Sequence, residues 1–442
     1  MPNCKQSQKK KCCKKDNCSC EKQSKSCCKL GVEMTSALTR LNSSQTVIPS
    51  ISAEGSRVFV SYNGNTVVGG NAYELFLNDN GVLTTLQARP QDPAFPLNNT
   101  AIAGPSFNFL YTADTNNAGV LRVRKWDSSF TNVVATQTFN DFQGTLRFNI
   151  SFDEQYLALQ YVTSTPPNTG NTVVRVLRTS DLFQLAFTNL PGIPSTDPYF
   201  FTVCPGSNKC NPVSNKQTYL AVTSLDFVAD IATLKILQFL NNTLNVVDTV
   251  SLPLNPTAIS VSDTCENEAL IVIGITAVFA VENEPSNYTT AFVNGRVTDI
   301  PGDADGLRIY SYGAGGIRLL YSERSPGGTQ PVALHPNLKC LLTGIRGNGL
   351  SPANSGMIGF MRCLQTCKRD KCSGRREKVD ASIADVRATT IIPVLALTVR
   401  FSANGQWLFM GGGGLIPGSV PPAMNQRNIN LYRVIDLEPV CC

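Results

Sequence analysis

The sequence predicts an all-β fold made of repeated four-stranded sheets, and three observations predict it. An apolar strand, a short polar turn and a second apolar strand recur along the chain. A third strand of alternating or apolar residues follows these phrases, and a fourth usually comes after it. β-Branched and aromatic residues at period-2 spacing, bounded by Gly, Asn, Asp and Pro, run through the series, and no long amphipathic helix pattern interrupts it.

The strand–turn–strand phrase is plainest in SISAEGSRVFVSY (50–62), NISFDEQYLALQY (149–161), ALHPNLKCLLTG (333–344) and RFSANGQWLFMGG (400–412). Looser copies are AIAGPSFNFLYTA (101–113) and AISVSDTCENEALIVIG (258–274), and a further one is split by CPGSNKC (204–210) between YFFTV and TYLAVTS. Third strands read as AYELFLNDNG, GVLRVRKWDSS, NTVVRVLRTSD, ATLKILQFLNN, GLRIYSYGAGG and INLYRVIDLE. Fourth strands read as VLTTLQA, NVVATQTF, FQLAFTNL, TLNVVDTVSL and IRLLYSE. Ala269 to Val281 is the longest largely apolar run, 13 residues flanked by Glu268 and Glu282, too short for the ~20 residues of a membrane span and expected as buried strand. Seven units of four strands are the arithmetic of a seven-bladed β-propeller, whose sheets cannot bury both faces alone and so pack around a channel.

Two of these stretches carry a family resemblance. FSANGQWLFMGG resembles the Ser-Pro-Asp-Gly turn between the first two strands of WD40/YVTN-type propellers, and Trp126-Asp127 resembles the WD dipeptide that closes the third strand. The resemblance spans about residues 31–440 and implies the propeller architecture. The Gly-His element of the family is absent, so its Asp-His-Ser-Trp hydrogen-bond network is not expected here.

The last unit supplies three strands, LALTVRFSA, QWLFMGG and NINLYRVID, before the sequence reaches Cys442. Residues 31–41 (GVEMTSALTRL) are strand-compatible and precede the first unit. They are expected to complete the last blade, which would remove an exposed edge.

Charge divides the chain differently from the repeats. The formal net charge is +6, yet residues 1–30 hold nine Lys against Asp16 and Glu21, and residues 362–378 hold seven basic residues against Asp370 and Glu377. The remainder is mildly acidic. The expected organisation is therefore a Cys/Lys-rich tail (1–30) and a propeller (31–442) with inserts at 204–210 and 362–380. The first residues, MPNCKQSQKKKCCKK, lack the apolar run of a signal peptide, which leaves a cytoplasmic or virion location as the expectation.

The same basic segments hold most of the 16 cysteines. In the tail, Cys12, Cys13, Cys18 and Cys20 have the CC and C-x-C spacing that lets adjacent thiolates bridge a soft metal ion such as zinc, with Lys offsetting their charge. The competing reading is disulfide: Cys204 with Cys210 across PGSNK, Cys27 and Cys28 with Cys441 and Cys442 if the chain's two strands close one blade, and Cys363, Cys367 and Cys372 in the second basic segment. The Lys-rich tail also offers a salt-sensitive contact to nucleic acid or another polyanion, without aromatic residues for base stacking.

Catalytic signals are sparse. His335, the single histidine, stands where other units carry the Ser of the turn and is expected as a turn residue beside Pro336. Asp303 and Asp305 begin like a calcium loop, but GLRIYSYG supplies no distal Glu. No cofactor is expected beyond a soft metal at the tail. The function expected is a non-enzymatic structural or protein-interaction propeller, in specific form a disulfide-stabilised component of a virion or other large assembly, with protein partners on its loops and no membrane span. The alternatives are a metal-binding protein acting through its tail and a lactonase-like propeller enzyme.

Overall fold

The computed structural model describes residues 30–41, 46–63, 71–163, 171–205, 216–226, 231–252, 256–262, 267–275, 306–324, 329–336, 340–346, 357–366, 381–391, 396–413 and 426–436. All its regular structure among these residues is antiparallel β-sheet.

The sheets follow one another along the chain. The first contains β2 (Thr46–Ile51), β3 (Arg57–Asn63), β4 (Asn71–Asp79) and β5 (Val82–Pro90), hydrogen-bonded in that order. β6 (Asn99–Ala103), β7 (Phe109–Thr115), β8 (Leu121–Asp127) and β9 (Val133–Phe139) form the next. Then come β10 (Gly144–Ile150), β11 (Tyr156–Val162), β12 (Asn171–Arg178) and β13 (Gln184–Pro191). The fourth sheet has a divided first strand: β14 (Ile193–Pro194) and β15 (Tyr199–Val203) both pair β16 (Gln217–Asp226), followed by β17 (Ile231–Leu240) and β18 (Thr243–Leu252). β19 (Pro256–Val261), β20 (Glu268–Ile275), β21 (Gly306–Gly313) and β22 (Gly316–Arg324) make the fifth. β23 (Thr329–Leu334), β24 (Cys340–Arg346), β25 (Met357–Thr366) and β26 (Ala381–Ile391) make another. In the last, β27 (Ala396–Phe401), β28 (Trp407–Gly413) and β29 (Gln426–Asp436) are completed by β1 (Leu30–Leu41), from the other end of the described chain.

The first strands form a closed cycle of neighbours. β2 touches β6, β6 touches β10, β10 touches β14 and β15, β15 touches β19, β19 touches β23, β23 touches β27, and β27 returns to β2. A separate apolar core fills each gap between successive sheets where side chains are described. Phe59 and Leu75 pack on Leu110, Trp126 and Phe130; Val58 and Val60, on the opposite face of β3, pack on Phe409 and Leu431. The fold is therefore a β-propeller.

This arrangement explains the hydropathy pattern. Middle strands are covered on both faces, so they read as continuous apolar runs: β20 is buried from Ala269 to Ile275. Outer strands have one covered face, and β9 alternates with most positions open. Each described outer strand carries a register irregularity against its neighbour, at Leu75/Phe76 opposite β5, Lys125/Trp126 opposite β9, Val176/Leu177 opposite β13, Ile236/Leu237 opposite β18, Ile309/Tyr310 opposite β22, Gly359/Met361 and Arg362/Leu364 opposite β26, and Met34/Ser36 within β1. Bulges twist an open edge away from pairing with another chain.

The expected closing strand is present. β1 pairs β29 from Leu30↔Asp436 to Leu41↔Gln426, with one shift at Met34/Ser36. Leu38 packs into the core shared with Ile51, Ile429 and Leu431, while Leu30 and Val32 pack against Tyr432 and Leu408.

One boundary needs correction. The basic segment read as an insert over 362–380 begins inside a strand: β25 runs through Thr366, placing Arg362 and Cys363 in the sheet. The clustered Arg and Cys of FMRCLQT break the period-2 strand signature there, and β26 is likewise unmarked by it. The insert at 204–210 follows β15, and its residues from 206 lie outside the described residues, as does residues 1–29 of the tail.

Candidate functional site

The turn between first and second strands sets the geometry of one end of the ring. Ser52, Ser151 and Ser402 each accept the backbone N–H five residues on: Arg57 N at 3.0 Å, Tyr156 N at 3.0 Å and Trp407 N at 3.0 Å. Their own N–H groups bond the same residues' carbonyls at 2.9, 2.8 and 2.9 Å. Three residues after the Ser the backbone turns left-handed, at Gly55 (φ 76°), Glu154 (φ 58°) and Gly405 (φ 73°). Glycine suits this position because a positive φ costs it nothing.

These turns bond to one another around the ring. Asn404 N donates to Ala53 O at 2.9 Å, and Ala53 N donates to Pro105 O at 2.8 Å. Ser106 then donates to the Glu154 carboxylate from N at 2.6 Å and from Oγ at 2.5 Å. His335 enters the same belt. It is buried, its Nε2 donates to Gly405 O at 3.0 Å, and its ring meets Phe401 edge-on with centroids 5.0 Å apart. The expectation of a turn residue holds, and the turn reaches across to the next sheet.

Inside the belt lies a cavity of about 390 Å³, the mouth of the central channel. Every sheet contributes to its wall: Ile51, Ile102, Ile150, Phe200, Val261, Leu334 and Phe401 all line it. Phe152, 56% exposed, stands at its rim. The serines here are committed to the backbone. Ser50 Oγ accepts Ala103 N at 3.0 Å, Ser260 Oγ accepts Leu334 N at 3.0 Å and Ser262 Oγ accepts Leu270 N at 2.7 Å.

Arg400 is the charged side chain of this lining. It projects from β27 to residues of the fourth sheet: its guanidinium carbon is 5.0 Å from the Tyr199 ring centre, and Nη2 is 3.6 Å from Asp197 Oδ2. That separation is an ion pair longer than a hydrogen bond. Burial pushes the guanidinium below its ordinary pKa, and Asp197 opposes the shift. Beside it, the buried Tyr199 Oη has no hydrogen-bond partner among the described residues. The guanidinium thus stands at the mouth with unspent donor capacity, over a buried hydroxyl that is itself costly to leave unpaired. The arrangement suits an acceptor carrying negative charge.

A signal for Arg400 was present in the repeats. Two positions before the turn residue, the units carry Ser50, Ile102, Asn149, Ser260 and Ala333, and Arg400 is the cation among them. Tyr199 and Asp197 had no such signal, because the fourth unit lacks the regular turn.

The WD-like dipeptide is structural. Trp126 Nε1 donates to Thr112 Oγ1 at 2.9 Å, and the Arg89 guanidinium lies 4.5 Å from the indole centre. Asp127 accepts from Thr131 N at 2.9 Å and Asn132 N at 3.2 Å, closing the following turn. The Thr131 N–H, first among these bonds, holds its carboxyl far below the usual range.

The cysteines fare unevenly. Cys204 is buried at the end of β15 and Cys363 lies in β25. Cys12, Cys13, Cys18, Cys20, Cys27, Cys28, Cys210, Cys367, Cys372, Cys441 and Cys442 lie outside the described residues, as do Asp303 and Asp305. Among the described residues no group of three or more His, Cys, Asp or Glu is placed to hold a metal ion, and no helix is long and apolar enough to cross a membrane.

No protein-family model and no curated protein sequence matches the chain. Among solved structures, it is similar to one described as the structure of the Dos1 propeller, at 10% identity and a TM-score of 0.49, covering 91% of this chain and 95% of that one. It is also similar to a chain of a crystal structure of the mitotic checkpoint complex, at 13% identity and a TM-score of 0.46, covering 90% and 94%.

Proposed function

We propose that this chain is a non-enzymatic, seven-bladed propeller, one blade per sheet, that binds a protein partner at the channel mouth. The observation that carries the reading is the pairing of Arg400 with Tyr199: a partly desolvated guanidinium whose nearest carboxylate is 3.6 Å away, beside a buried hydroxyl without a partner. A carboxylate from outside accepts from the guanidinium, and charge-assisted hydrogen bonds are the stronger kind. The surrounding wall is apolar, and exposed Phe152 extends it to the rim. An extended segment with one acidic side chain between apolar neighbours fits this chemistry. The commitment of Ser50, Ser260, Ser262 and His335 to backbone groups supports a recognition surface over a hydrolytic one.

The test is an array of extended peptides bearing a central Glu, Gln or Lys between apolar residues, probed with the purified chain. Binding is expected for Glu over Gln and Lys, and Phe152→Ala is expected to weaken it about tenfold, the scale of a lost aromatic anchor. Equal binding of all three peptides contradicts the reading.

A further inference from the structure

Three sheets share a cross-strand position just beyond the first turn. The residue five places after the turn Ser opposes a third-strand residue: Arg57↔Leu77, Tyr156↔Arg178 and Trp407↔Arg433. The next pair outward is hydrogen-bonded in each case, through Asn78 N to Ser56 O at 2.8 Å, Thr179 N to Gln155 O at 3.0 Å and Val434 N to Gln406 O at 2.8 Å. Antiparallel ladders alternate, so the shared position is the non-hydrogen-bonded pair, where Cα atoms stand only about 4.5 Å apart and side chains are closest. Trp407 and Arg433 show this directly, the guanidinium lying 5.2 Å from the indole centre.

In the β23–β26 sheet the turn residue is His335, and five places on is Cys340. Its partner in the register is Cys363. We infer that Cys340 and Cys363 form a cross-strand disulfide. Close opposite pairs fall within the Cα separation that disulfides use, about 4.4–6.8 Å, so the register holds both residues ready without moving either strand. The bond forms by exchange with a small-molecule disulfide such as oxidised glutathione. One cysteine thiolate attacks it, giving a mixed disulfide and releasing one glutathione thiolate. The other cysteine thiolate then displaces the second. Two protein thiols are oxidised, and one glutathione disulfide is reduced to two thiols. The link ties β24 to β25 in the sheet beside the one that β1 closes, since β23 touches β27 and β26 touches β1. The inference is independent of the channel-mouth reading.

The test uses the full chain in buffers of graded reduced-to-oxidised glutathione ratio, trapped with acid and N-ethylmaleimide and cut with trypsin. Cleavage yields CLLTGIR (340–346) and CLQTCK (363–368). The expected product is these two peptides joined through Cys363 with Cys367 carrying maleimide, appearing as the oxidised fraction rises. It persists in Cys367→Ser, and oxidation raises the melting temperature of the unaltered chain more than that of Cys340→Ser. Maleimide on Cys340 at every ratio, or Cys340 joined to a cysteine other than Cys363, overturns the inference. The unaltered chain's own map decides this even if a variant fails to fold.

Discussion

His335 Nε2 lies 3.0 Å from the carbonyl oxygen of Gly405, across the boundary between two sheets. A carbonyl only accepts, so Nε2 carries the proton in this bond. A Cβ placed on Gly405 would stand 2.5 Å from His335 Cε1 while the backbone holds φ at +73°. Gly405→Ala is therefore expected to lower stability by about 1–3 kcal/mol through strain and overpacking. His335→Ala is expected to cost about 2–3 kcal/mol through the lost packing and the orphaned buried carbonyl. Urea unfolding of each variant measures both, and wild-type midpoints would show that the belt carries no stability.

The same histidine separates scaffold from enzyme. Lactones, phosphoesters and glycosides are expected to turn over at background with the purified chain. Turnover that His335→Ala abolishes, while the variant stays folded, would reverse the assignment.

Asp127 gives a pH signature. Its folded pKa lies below its unfolded value of about 3.9, so its contribution is full above that value and is lost as pH falls through the folded one. Asp127→Ala should lower the melting temperature at pH 7, and the gap from wild type should narrow steadily below about pH 4. A gap unchanged from pH 7 to pH 2 would show that the Thr131 and Asn132 bonds do not act through the charge.

Closure by β1 makes the early chain structural. Deleting residues 1–41 removes the partner of β29 and leaves that strand as an open edge. Such a truncation should melt well below the full chain, whereas deletion of 1–26 should melt near it. Equal melting of the two truncations would remove β1 from the ring's stability.

Much of the fold was legible because each unit repeats a turn with a local cause. Ser52, Ser151 and Ser402 bond within their own turns, so sequence pattern and geometry coincide. The closing strand was legible by elimination, since the last unit lacked one strand and 31–41 had the right composition. β25 was missed because Arg362 and Cys363 look like part of a basic appendage, whereas both lie in a strand that pairs β24 on one side and β26 on the other. The channel mouth was missed for another reason. Arg400 meets Asp197 and Tyr199 only after the ring has closed, and no local pattern records a contact between residues two hundred positions apart.

The most direct test of the account is charge reversal at the channel mouth. Fluorescence anisotropy would follow labelled extended peptides with a central Glu or a central Lys, titrated with the unaltered chain and with Arg400→Glu. The account predicts that the unaltered chain favours the Glu peptide by about tenfold or more and that Arg400→Glu reverses the order, because the charge-assisted pair is replaced by like-charge repulsion. An unchanged preference in Arg400→Glu, with the fold intact by circular dichroism, would contradict it.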